Sequence, residues 1–175
     1  MGVTTSPPPA TNGGQLVVRN GSGVAGRPDS GDQIVVTYVD SPSAGDFCDG
    51  WSGTSTLTGP TVVVTGTEAQ SGDDEIEASD SECLGGFNFG TIDLGQNGYF
   101  RGSVTFGGLS LGCSIVPIDD SDCTQIALSG DTLTMTLGAP SATQETNPSP
   151  SVAIYSPSSA LDQSGTFESP DEIQF

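Results

Sequence analysis

The chain has 175 residues, with 22 Asp and Glu against only Arg19, Arg27 and Arg101, no Lys and no His, for a formal net charge of −19. That balance excludes the phosphate neutralisation a nucleic-acid partner requires and sets the protein against an anionic membrane surface. Without His or Lys there is no Ser-His, Cys-His or Ser-Lys nucleophile pair and no phosphate-loop lysine, and the length suits one domain.

Gly, Ser, Thr and Pro are abundant, and the apolar residues are rich in Val, Ile and Leu. This is the profile of many short strands joined by turns. No stretch holds a sustained helical period, so an all-β domain of antiparallel strands with very little helix is expected. The acidic excess reads as a solvated shell that keeps the protein soluble.

Residues 1–14 read as a separate N-terminal arm. The run Pro7, Pro8, Pro9 followed by a Gly-rich stretch cannot bury apolar surface and predicts an extended, PPII-like tether, a candidate partner-binding arm. The β domain is expected over 15–175. Gln15 to Arg19 predicts a first strand, and the Gly-rich run after it supplies turn residues. Gln33 to Val39 predicts a second strand with apolar residues on both faces, hence a central one. Phe47, Cys48 and Trp51 then crowd an irregular segment, and such bulky groups need a core to enter, so Phe47 and Trp51 are read as a core corner. An exposed Trp51 or Tyr99 would instead suit stacking on a sugar.

Thr61 to Thr65 and Glu75 to Ser79 predict the next strand pair, the second one half-exposed because Glu75 and Glu77 alternate with Ile76 and Ala78. Phe87 and Phe89 follow Cys83. Asn97-Gly98 predicts a hairpin leading into a strand at Tyr99 to Phe106, with Phe100, Val104 and Phe106 on one face and Tyr99 on the other. Thr124 to Leu128 and Thr132 to Leu137 flank Ser129-Gly130-Asp131, the clearest hairpin in the chain, with Leu133, Met135 and Leu137 buried and the threonines polar. A last strand is expected at Val152 to Tyr155, and the segment Phe167 to Phe175 as a docked edge.

Cys48, Cys83, Cys113 and Cys123 contain no C-x-x-C spacing, so zinc is not indicated, and their even number in a small all-β chain predicts two structural disulfides formed in an oxidising location. Cys113 and Cys123 bracket a short excursion and are paired on that ground, leaving Cys48 with Cys83. Sequence alone permits three pairings. The residues after Met1, GVTTSPPPATNGG, show no basic then apolar leader pattern. The expectation is a mature product with an added Met, or a protein made in the cytoplasm and carried outside afterwards.

Two acidic clusters invite a test for chemistry. Asp73, Asp74 and Glu75, and Asp119, Asp120 and Asp122, offer paired carboxylates of the kind that hydrolyse glycosides, but they fall in predicted turns without an aromatic platform. The run Ile118 to Cys123 offers oxygen ligands to calcium yet lacks the Gly and distal Glu of a helix-loop-helix calcium loop, so solvated acidic turns are expected. No cofactor, no metal, no membrane insertion and no enzymatic activity are expected.

Taken together, GDQIVVTY at 31–38, FCDGWSG at 47–53, Cys83 with FNFGTIDLGQNGY at 87–99, and LTMTLG at 133–138 resemble one family. It is the Ig-like all-β domain repeated in secreted and cell-surface proteins of actinobacteria, and the resemblance covers Gln15 to Phe175. It implies an Ig-like β-sandwich and places Cys48 and Cys83 where the family carries its paired cysteines. It also implies an adhesin or stalk module without catalytic residues. The chain is expected to depart from that pattern in standing alone and in lacking a secretion signal, and it carries an extra pair, Cys113 and Cys123. Single Ig-like domains with a flexible arm also resemble accessory proteins of tailed-phage virions. The expectation is therefore a capsid (or tail) decoration protein at the virion surface. Its partners would be protein lattice subunits, and homo-oligomers are compatible with that role. The alternative is an extracellular or cell-surface module.

Overall fold

The computed structural model describes residues 14–21, 23–65, 72–81, 83–99, 102–107, 122–142, 151–169 and 175. In chain order its strands are β1 (Gln15–Arg19), β2 (Gln33–Thr37), β3 (Leu57–Thr58), β4 (Thr61–Thr65), β5 (Glu75–Ser79) and β6 (Gly90–Asp93). They continue with β7 (Val104–Phe106), β8 (Gln125–Ser129), β9 (Thr132–Thr136), β10 (Ile154–Pro157) and β11 (Phe167–Glu168). Among the described residues a four-residue helix, α1 (Ala44–Phe47), and a 3-10 turn at Ser159–Leu161 interrupt them.

The strands form two antiparallel sheets, ordered β1-β2-β9-β8-β3 and β11-β10-β6-β5-β4-β7. The sheets pack on each other as a β-sandwich because alternate side chains of each share one apolar face. Leu16, Ile34, Val36, Ile126, Leu133 and Met135 enter the core from the first sheet. Val62, Ile76, Ile92, Phe106, Tyr155 and Phe167 enter it from the second. Each fully buried aliphatic or phenyl side chain contributes roughly 1.5–3 kcal/mol.

Several predicted elements stand as read: β1, β4 and β5 over the expected residues, and the β8–β9 hairpin, closed by Gly130 at φ 63° followed by Asp131. Glycine first and a residue of ordinary φ second is the sequence of a II′ hairpin turn. β2 ends two residues early. Tyr38 turns into the core, its N–H donating to the Asp131 carbonyl at 2.8 Å, and Val39 is left 58 % exposed.

The Asn97-Gly98 hairpin is a correction. Gly98 does take a positive φ of 93°, but β6 pairs with β5 and β10 while β7 pairs with β4. The strands β4, β5 and β6 form a meander, and β7 returns to lie beside β4, which is the Greek-key order. The chain after Gly98 therefore leaves the strand it was expected to fold back on. Tyr99, predicted on a polar face, is buried against Phe175 with ring centroids 5.5 Å apart.

Candidate interaction surface

The corner read around Phe47 and Trp51 is built on α1. Ser43 N–H donates to the Asp46 carboxylate at 2.7 Å, which holds the first turn of a helix too short to stand alone. Phe47 is thereby driven inward, fully buried, with its ring 5.7 Å from Tyr38, 6.4 Å from Trp51 and 6.0 Å from Phe87. Asn88 fastens the opposite segment, its N–H donating to the Phe47 carbonyl and its side chain to that of Asp46. The Cys48–Cys83 disulfide spans the same two segments, with Cα atoms 5.0 Å apart. Since α1 follows a strand of one sheet and Cys83 a strand of the other, the bridge ties the two excursions together at one end of the sandwich.

Trp51 is 8 % exposed and spends its indole N–H on the Ser55 carbonyl, and Tyr99 is 2 % exposed. Neither offers a platform on which a sugar ring could stack. Deeper in, Tyr155 donates to the Phe89 carbonyl at 2.5 Å and Tyr38 to the Tyr155 hydroxyl at 2.9 Å, a polar chain inside an aromatic cluster. Burial pushes both phenols upward from their ordinary range.

The carboxylates separate into two kinds. Asp73 and Glu75 are exposed, but Asp74 between them is fully buried, its carboxylate accepting the Tyr99 N–H at 2.8 Å. This cluster is therefore no solvated turn of three acids, as the sequence suggested, and no acid pair either. Asp74 clamps the segment that leaves β6. Burial, and secondarily the Asp74 charge, push the Tyr99 phenol up to about 12.

Asp32, which the sequence reading passed over, does the same for the connection between β1 and β2. Its two oxygens accept the Gly21 and Asp29 N–H groups, each at 2.8 Å. Burial raises its carboxyl to about 6. The two backbone donors pull it back, and neighbouring Asp29 adds a smaller upward push. Among the described residues no three His, Cys, Asp or Glu side chains converge as a metal site would require. No described helix is long and apolar enough to cross a membrane. Cys123 is buried and disulfide-bonded. Cys113, the arm with Pro7, Pro8 and Pro9, and Asp119 and Asp120 lie outside the described residues.

The outer faces of the two sheets differ in charge. Across the second sheet the outward rows are Glu168, Ile154, Asp93, Glu75 and Thr65, then Ser156, Thr91, Glu77, Val63 and Thr105. Four carboxylates stand there, with Glu75 directly opposite Asp93, a like-charge pairing that weakens a sheet.

Across the first sheet the pairing aligns Arg19, Gln33, Thr136, Gln125 and Thr58 in one row. Val17, Val35, Thr134 and Ala127 form the next row, and Gln15, Thr37, Thr132 and Ser129 the last. Among the described residues these three rows hold no carboxylate and one charge, Arg19; Asp131 stands in the turn just beyond the last row. In a chain of net charge −19, this neutral face of threonine, valine and glutamine is the candidate interaction surface. The strand alternation in TLTMT already marked its middle; which strands would lie beside it was not legible. No family model matches the chain, and no curated protein or solved structure is significantly similar to it.

Proposed function

We propose that this is a non-enzymatic structural protein, a virion accessory protein that decorates the capsid or tail of a tailed phage. The supporting observation is the contrast between its two outer faces. A rigid sandwich, stapled at one end by Cys48–Cys83, presents one neutral sheet face and keeps its acidic face opposite. A surface whose described rows carry the single charge of Arg19 docks on protein at little electrostatic cost, while the acidic face repels wrong partners. In this reading residues 1–14 anchor the protein to the particle and the neutral face meets its neighbours. The Ig-like character of the sandwich belongs to the same proposal.

The alternative is a module of a bacterial adhesin or stalk, favoured by the likeness of the Cys48 and Cys83 corner to surface Ig-like domains. Quantitative peptide mass spectrometry on purified particles and on host cell-wall fractions separates the two. Stoichiometric peptides in particles support the first reading, enrichment in the cell wall the second, and absence from both removes both. Deleting residues 1–14 is expected to abolish particle occupancy; full occupancy by the truncated protein would refute the anchoring role of the arm.

A further inference from the structure

We infer that the neutral face of the β1-β2-β9-β8-β3 sheet is a self-association surface, and that its occupant is the same face of a second copy of this chain. The inference rests on reading that face as an interaction surface, and is independent of which particle or cell carries the protein.

Two copies of a −19 protein repel wherever acidic surface meets acidic surface, and the three described rows of the first sheet offer an approach with no carboxylate in them. The face also carries its own complement. Arg19 stands at the β1 corner, in the row of Gln33 and Thr136. Exposed Asp131 stands in the β8–β9 turn, beyond the opposite row, where Thr132 pairs with Ser129. These are diagonal corners. A two-fold axis lying between two such faces, at right angles to that diagonal, sets Arg19 of each copy over Asp131 of the other, forming both pairs at once as an isologous interface requires. The strands of the two copies then cross steeply, one of the two ways sheets pack. Val17, Ala127 and Thr134 meet at the centre, around a Val35 that is already only 9 % exposed within one copy.

The contact is small. Four strands about 4.8 Å apart and five residues long give a footprint of roughly 300 Å² per copy. That is well below the roughly 800 Å² per partner of a standard stable interface. The association is therefore weak for the free protein and effective where copies are held close, as on a lattice or in tandem.

Sedimentation equilibrium on the purified full chain tests it, in about 0.5 M salt so that the long-range repulsion is screened. The weight-average mass should lie near the 17.6 kDa of one chain at about 10 µM and climb toward twice that near 1 mM. Thr134→Glu, which places a carboxylate at the centre in both copies, should hold the protein monomeric throughout. Arg19→Asp should shift the midpoint concentration upward about tenfold, and Arg19→Asp with Asp131→Arg should restore it. Glu77→Gln, on the opposite face, should change nothing. The melting temperature of each variant shows whether it folds, and the charge-swap rescue keeps the test decisive if Thr134→Glu does not. Wild-type protein that stays monomeric at 1 mM overturns the inference. So does association that Thr134→Glu leaves intact, or a double swap that fails to rescue. Particle occupancy is not read in this experiment, so it can fail while the virion reading stands.

Discussion

The disulfide corner and the loop between β1 and β2 both hold irregular backbone against the same sandwich, by opposite means. At the corner the anchors on Phe47 and the facing segment are mostly neutral: three ring contacts to Phe47, the Asn88 hydrogen bonds and a covalent bridge, with only the exposed Asp46 carboxylate holding the helix start. In the loop the anchor is one buried carboxylate, Asp32, whose two oxygens replace water with two backbone amides. Removing an ionised carboxyl from water costs more than those amides return, which is why its pKa rises to about 6. Anchoring by packed rings and a disulfide is insensitive to pH, whereas anchoring by a buried charge depends on it.

Phe47→Ala breaks the comparison on the strong side. Losing the ring that Tyr38, Trp51 and Phe87 pack against should cost about 4 kcal/mol, measured by urea denaturation; a loss below about 1 kcal/mol would show that the corner stands apart from the cooperative core. Next comes Cys48→Ser with Cys83→Ser. The bridged residues are 35 apart, so the loop-entropy model gives about 3–4 kcal/mol, equal at pH 5 and pH 7.5.

The smallest effect sharpens the other side. A carboxyl whose folded pKa lies above its ordinary 3.8 binds a proton more readily in the folded state. Its stabilising contribution is complete below about pH 4 and is lost as the pH rises through about 6. Discounted for solvent screening of a surface loop, the difference is on the order of 1–2 kcal/mol. It should show as extra acid stabilisation of the wild type between pH 7 and pH 4 that Asp32→Asn lacks. Parallel pH profiles for the two proteins would refute this.

Where local pattern decides structure, the sequence was legible. The alternation in TLTMT and in EIEAS carries its burial on its face, and the pairing of Cys48 with Cys83 agrees with the bond observed. What failed is non-local. Asn97-Gly98 has the local chemistry of a hairpin, yet both edges of β6 are taken by β5 and β10, and β7 pairs with β4 instead. Asp74 reads as one polar turn residue among several. Its burial is set by an N–H group at Tyr99, 25 positions away, that would otherwise go unsatisfied. The helix α1 is a single turn and leaves no periodicity to detect. The neutral face was half visible, because outward threonines can be counted strand by strand, but only the order β1-β2-β9-β8 makes them one surface.

That order also imposes a schedule on synthesis. β2 finds its inner neighbour in β9, with Gln33 opposite Thr136, so the first sheet cannot close until residue 136 has left the ribosome. Until then the β1–β2 hairpin waits with one edge unsatisfied while the β4-β5-β6 meander forms between the two halves of its future sheet. The neutral surface thus comes into being only after β9 has emerged, and until then the row that would meet a partner does not exist.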